Sequence, residues 1–233
     1  MKSYIEEVDF TACNLNKDEV SDEAYLIVGK EIFKQLSTTG FLYLKNTGMD
    51  KQLQDKFNDL TEEFFLCSRE EKIKYKRNSD NFGYDALGAE QVDPTRPGDL
   101  KEAFQSRTNT LSHDRYKWPD DLIPGFSSCY KELMRAAVKL AERVLTAISF
   151  GMDLNKDDFL TKSHAHFGRD GNSSALRTLY YPALTMECKP GQLRCGEHSD
   201  YGSLALLFQD NVGGLQVSRK TMDISGPYLL KLG

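Results

Sequence analysis

What this sequence lacks narrows its function before any motif is read. Cysteine forms no framework. Cys13, Cys67, Cys129, Cys188 and Cys195 are odd in number, scattered and without C-x-x-C spacing. That pattern predicts reduced thiols and a cytoplasmic protein, and argues against a disulfide scaffold or a zinc finger. No strongly basic region exists. Net charge is -5 and the isoelectric point is about 5.5, so nucleic-acid binding has no electrostatic support. The cluster Lys72, Lys74, Lys76 and Arg77 follows the acidic pair Glu70-Glu71 and reads as a solvated helix end. No apolar run approaches a membrane span, and Met1–Glu7 has no apolar signal-peptide core. Internal repeats and low-complexity segments are absent. Histidine is scarce: four residues in all, and none after His198.

What remains is a mean hydropathy of -0.53 and 39% hydrophobic residues over 233 positions, the profile of one large globular domain or two small ones. A short apolar run surrounds Ile5, Val8 and Phe10. Ser21 or Asp22 opens a helical pattern through Ala24, Ile27 or Val28, Ile32 and Leu36, stopped by Gly40. Phe41–Leu44 reads as a buried strand ending in the turn Asn46-Thr47-Gly48. Leu53, Phe57, Leu60 and Phe64 mark a second helix. Ser68-Arg69-Glu70-Glu71 is a capping box for a third. Residues 78–126 read as loops and short strands. A long amphipathic helix then runs from beyond Pro124-Gly125 to near Gly151, with Tyr130, Leu133, Ala137, Leu140, Ala141, Val144 and Ile148 inward. Afterwards strands dominate: Leu176–Tyr181, Ser203–Phe208 and a segment starting at Leu215. Helices first and strands second predict an α+β fold.

Chemistry concentrates in Gly196-Glu197-His198-Ser199-Asp200-Tyr201-Gly202. In extended backbone, positions i and i+2 share a face. His198 and Asp200 therefore offer an imidazole and a hard carboxylate to one metal ion, a donor set suited to Fe(II). Cys188 and Cys195 flank this segment without zinc-type spacing. His113 and the pair His164 and His166 read as solvent-facing or locally bonded histidines.

The same segment, with Leu207-Phe208-Gln209-Asp210 and Gly213-Gly214-Leu215-Gln216-Val217, resembles the metal-binding half of the iron(II)/2-oxoglutarate-dependent dioxygenases, in their isopenicillin N synthase-like branch. Leu176–Pro182, Gly40–Gly48, Phe64-Phe65, Glu71-Lys72, Gly83-Tyr84 and Lys101-Glu102-Ala103-Phe104 extend the resemblance from about residue 5 to Val217. It implies a helical N-terminal region ahead of the β-core, with an N-terminal non-haem dioxygenase region at 1–125. The long helix and the first part of a double-stranded β-helix (jelly-roll) core would occupy 126–217, followed by a divergent tail at 218–233. It implies that His198 and Asp200 are two of three metal ligands. It also implies Fe(II), with 2-oxoglutarate and dioxygen as co-substrates and ascorbate as an accessory reductant. Decarboxylation of 2-oxoglutarate to succinate would then drive hydroxylation, desaturation or ring closure of a small-molecule substrate. Tyr181 would face the cavity and hydrogen-bond 2-oxoglutarate; as a residue, it also suits a core tyrosine at a strand end. Leu179 stands where many relatives carry asparagine. Arg194 reads as a surface arginine.

The family's second histidine and its Arg-x-Ser clamp for 2-oxoglutarate come from strands later than Val217, and Ser218–Gly233 does not resemble those strands. The expectation is a C-terminally truncated relative with an incomplete β-helix and little or no turnover. The competing reading is an inactive isoform or fragment with weak iron binding or an interaction role.

Overall fold

The structure is a computed structural model that describes residues 5–111, 113, 115–154, 159–167, 169, 172–184, 187–200, 202–217 and 228–229. In chain order the elements are β1 (Glu7–Asp9), α1 (Asp22–Thr38), β2 (Tyr43–Lys45), α2 (Lys51–Leu66), α3 (Arg69–Lys72), β3 (Gly83–Asp85), β4 (Glu102–Arg107), α4 (Phe126–Gly151), α5 (Phe159–Ser163), β5 (Ala175–Tyr180), β6 (Gln216–Val217) and β7 (Tyr228–Leu229), with short 3-10 turns between them. The fold is α+β. Short strands β1 to β4 sit among the helices of the first 125 residues, β2 within the expected strand segment and β3 and β4 within the expected stretch of loops and short strands. Two compact units emerge, and neither is continuous in sequence: residues 1–49, 139–164 and 204–233 form one, residues 50–138 and 165–203 the other.

In the first unit, β1 and β2 pair in parallel, with Val8 opposite Leu44. The Ser21 hydroxyl accepts from Ala24 N and starts α1. Gly40, at φ +75°, lies just past its end. Val8, Phe10, Val28 and Ile32 bury against Leu140, Val144, Ala147 and Ile148 of α4. The two helices meet backbone to backbone. A Cβ on Gly29 would lie 1.9 Å from the Ala147 carbonyl oxygen, and one on Gly151 2.1 Å from that of Gly29. The expected strand Ser203–Phe208 is not one. Among the described residues no neighbour pairs with it, and pairing is what makes a strand. Leu204 and Leu206 nonetheless pack against the core while Leu207 and Phe208 stay exposed. β6 pairs with β7, antiparallel. The tail 218–233 otherwise lies outside the described residues.

The second unit is built on aromatic rings and one sheet. β4 lies between β3 and β5, antiparallel to both. Phe64 of α2 makes edge or tilted contacts with Tyr75, Tyr84, Phe104 and Phe126. The Tyr130 hydroxyl donates to the carbonyls of Phe104 and Leu176, fastening α4 to the sheet. The capping box at Ser68 and Glu71 forms as expected. Lys72, however, is no solvated helix end. Its side chain is 6% exposed, and its ammonium sits 2.7 Å from the Glu102 carboxylate, which also accepts from the Tyr84 hydroxyl at 2.6 Å. Arg77 pairs with Asp85 at 3.0 Å. The sequence shows the charges clustered; the fold supplies carboxylates from the next two strands.

Candidate metal centre

β5 ends at Tyr180, and the chain then loops back along the residues that lead into β4. Gln192 Nε2 donates to the Gly98 carbonyl at 2.7 Å, Leu100 N to the Leu193 carbonyl at 2.9 Å, and Gly196 N to Asp99 Oδ1 at 3.1 Å. Arg194 is exposed as expected and donates to the Pro182 carbonyl at 2.6 Å. Bound on one side in this way, the loop delivers His198 and Asp200.

The pair lies outside any strand, yet its donors converge. His198 Nε2 is 3.4 Å from Asp200 Oδ1, with the two side chains 46% and 62% exposed. His198 Nδ1 is 2.9 Å from the Gly196 carbonyl oxygen. A carbonyl only accepts, so Nδ1 carries a proton and Nε2 is the ring nitrogen turned toward Asp200. The imidazole nitrogen and the carboxylate oxygen lie 3.4 Å apart. Metal bonds of about 2.1 Å at right angles hold two donors about 3 Å apart. The 3.4 Å spacing is compatible with two adjacent ligands of a first-row ion, and the Gly196 carbonyl already orients the His198 ring. No group of three metal-binding side chains occurs among the described residues. Tyr201 lies outside them.

Tyr181 follows β5 directly. It keeps 43% of its surface, yet desolvation, followed by the charge and hydrogen bond of Cys195, pushes its hydroxyl up to about 12. Cys195 also accepts from Lys101 Nζ at 3.4 Å, and Cys188 is an exposed free thiol. His164 bonds the Leu160 carbonyl through Nδ1 at 2.6 Å. His166 is exposed and His113 half-buried. Asp99 carries no signal in the sequence and Lys101 only its place in the segment Lys101–Phe104, yet both are buried beside the loop.

Residues 8–123 match the family model described as the N-terminal region of non-haem dioxygenases in morphine synthesis. The chain is 33% identical over 202 residues to the 2-oxoglutarate-dependent dioxygenase htyE of Aspergillus rugulosus, covering 80% of this chain and 60% of htyE. It is 30% identical over 197 residues to the dioxygenase gloF of Glarea lozoyensis, covering 78% and 58%. It therefore spans about three fifths of these relatives' lengths. Among solved structures, a full-length Neurospora crassa protein in complex with alpha-KG and thymine superposes with a TM-score of 0.76 at 28% identity, over 97% of this chain and 70% of the Neurospora chain. Motif, architecture and relatives agree: the chain belongs to the iron(II)/2-oxoglutarate-dependent dioxygenases.

Proposed function

We propose that the protein is a non-haem iron oxygenase that uses 2-oxoglutarate and dioxygen to oxidise a small molecule, with His198 and Asp200 as two of its metal ligands. The observation that carries this reading is the Nε2 of His198 held 3.4 Å from Asp200 Oδ1 within the family's sequence motif. Bound Fe(II) would supply the redox chemistry that couples 2-oxoglutarate decarboxylation to substrate oxidation. His198 binds through Nε2 while its Nδ1 proton rests on Gly196. Asp200 adds a hard, charge-compensating oxygen. Tyr181, its hydroxyl raised to about 12, stays a hydrogen-bond donor at neutral pH and suits a carboxylate of 2-oxoglutarate. A small-molecule substrate accords with the thymine held by the Neurospora relative. The net charge of -5 speaks against nucleic acid. No helix among the described residues is long and apolar enough to cross a membrane. Free cysteines support a cytoplasmic setting. We place the N-terminal region at 1–125, which the match over 8–123 supports, the start of the β-core at 126–217, and the tail at 218–233.

Metal binding is the decisive test, because it reads the two donors directly. Mn(II), an air-stable stand-in for Fe(II), should bind the parent and broaden the His198 resonances. His198→Ala and Asp200→Ala should each abolish specific binding. Parental binding in both variants would overturn the proposal.

A further inference from the structure

The loop that presents His198 rests on a buried ion pair for which metal binding alone gives no task. Asp99 and Lys101 are 3% and 4% exposed. Lys101 Nζ donates to Asp99 Oδ2 at 2.6 Å and lies 3.7 Å from Glu90 Oε2. Glu90 in turn pairs with Arg177 of β5. Burying two charges costs several kcal/mol per ion, and good geometry only repays it. Simple attachment does not require this arrangement, since Leu193 and Gln192 already hold the loop to residues 98–100 through ordinary hydrogen bonds.

What the pair does add is control of Gly196. Asp99 Oδ1 accepts from Gly196 N at 3.1 Å, and the Gly196 carbonyl accepts from His198 Nδ1 at 2.9 Å. Space favours glycine here: a Cβ would lie 3.3 Å from both Asp93 N and Val92 Cβ. Yet glycine constrains its own backbone least of all residues, so nothing local fixes where its carbonyl points. A buried carboxylate that cannot swing away, because Lys101 holds its other oxygen, supplies the missing restraint.

We infer that Asp99, charge-balanced by Lys101, is a positioning residue for His198: it pins Gly196 so that the Gly196 carbonyl accepts from His198 Nδ1 and Nε2 is turned toward Asp200. The inference rests on the metal-site reading above and assigns that site its supporting shell. Outer-shell partners of ligating histidines are worth about 10–100-fold in metal affinity.

Side-chain 15N spectra of the metal-free 233-residue protein at alkaline pH, with His198 assigned by its loss in His198→Ala, test the geometry without touching Asp99. The expected tautomer has Nδ1 protonated; an Nε2-protonated ring would overturn the inference. EPR titration of Mn(II) tests the consequence. Asp99→Ala should mix the tautomers and weaken binding about tenfold. Asp99→Asn keeps one acceptor but would turn an N–H toward the Lys101 ammonium, so it should weaken binding as well and restore neither in full. Parental tautomer and parental affinity in Asp99→Ala would also overturn it. Should His198→Ala bind Mn(II) like the parent, the metal reading falls instead, and the tautomer of the parent still decides the role of Asp99.

Discussion

Asp9 shows how much one exposed side chain gains from local donors. Its carboxylate accepts from Thr11 N, Thr11 Oγ1 and Asn46 Nδ2. These bonds, the Thr11 hydroxyl first, lower it from 3.8 to about 2. A depressed folded-state value means the contribution is present above the unfolded value and disappears as pH falls through the folded one. Parental stability should therefore decline between 3.8 and about 2, and Asp9→Asn should flatten that part of the profile in urea titrations. Tyr181 is displaced in the opposite direction. Its contribution to an alkaline ultraviolet titration, isolated as the difference from Tyr181→Phe, should centre near 12 rather than 10. Ionisation at the ordinary value would show that neither burial nor Cys195 shapes this hydroxyl.

Between elements, two contacts carry unequal risks. At the α1–α4 crossing the backbones touch, so Gly29→Ala must push the Ala147 carbonyl away. Overpacking costs about 1–3 kcal/mol, and this site lies at the upper end. Calorimetry should show a melting temperature lower by roughly 6–12 °C. The second contact is the Lys72–Glu102 bridge between α3 and β4. Lys72→Met leaves the Glu102 carboxylate buried without its cation, which costs about 3–5 kcal/mol. Adding Glu102→Gln should recover part of that loss in denaturant melts. The sequence announced one of these sites only in part. α1, α2 and α4 were legible because N-caps and a 3.6-residue apolar period are local signals. The partner of Lys72 was not, since it sits 30 positions away. Ser203–Phe208 misled for the same reason: its composition suits a strand, but a strand depends on a neighbour.

At the scale of the whole molecule, metal and stability are linked. A ligand that binds only the folded state stabilises it by about 1.4 kcal/mol when present at tenfold its Kd. Mn(II) should thus raise the melting temperature of the parent and leave that of Asp200→Ala unchanged; equal shifts in both would point to a different site. The ligand pair was legible because His198 and Asp200 are two positions apart. The residue behind it was hidden, because Asp99 is 97 positions from Gly196 and only the folded sheet brings them together. Family resemblance reached the fold by another route, through ordered motifs rather than through any contact.

The discontinuity of the first unit has a consequence for synthesis. β1, α1 and β2 leave the ribosome early, but the α4 residues that cover Val8, Val28 and Ile32 begin at Leu140, about 90 residues after the unit's first segment ends at Met49. At about 5–20 residues per second, this half-built core waits roughly 5–18 s with its apolar face uncovered. The nascent chain is most exposed to misassociation in that interval, and this is where a chaperone that recognises short apolar stretches would engage it.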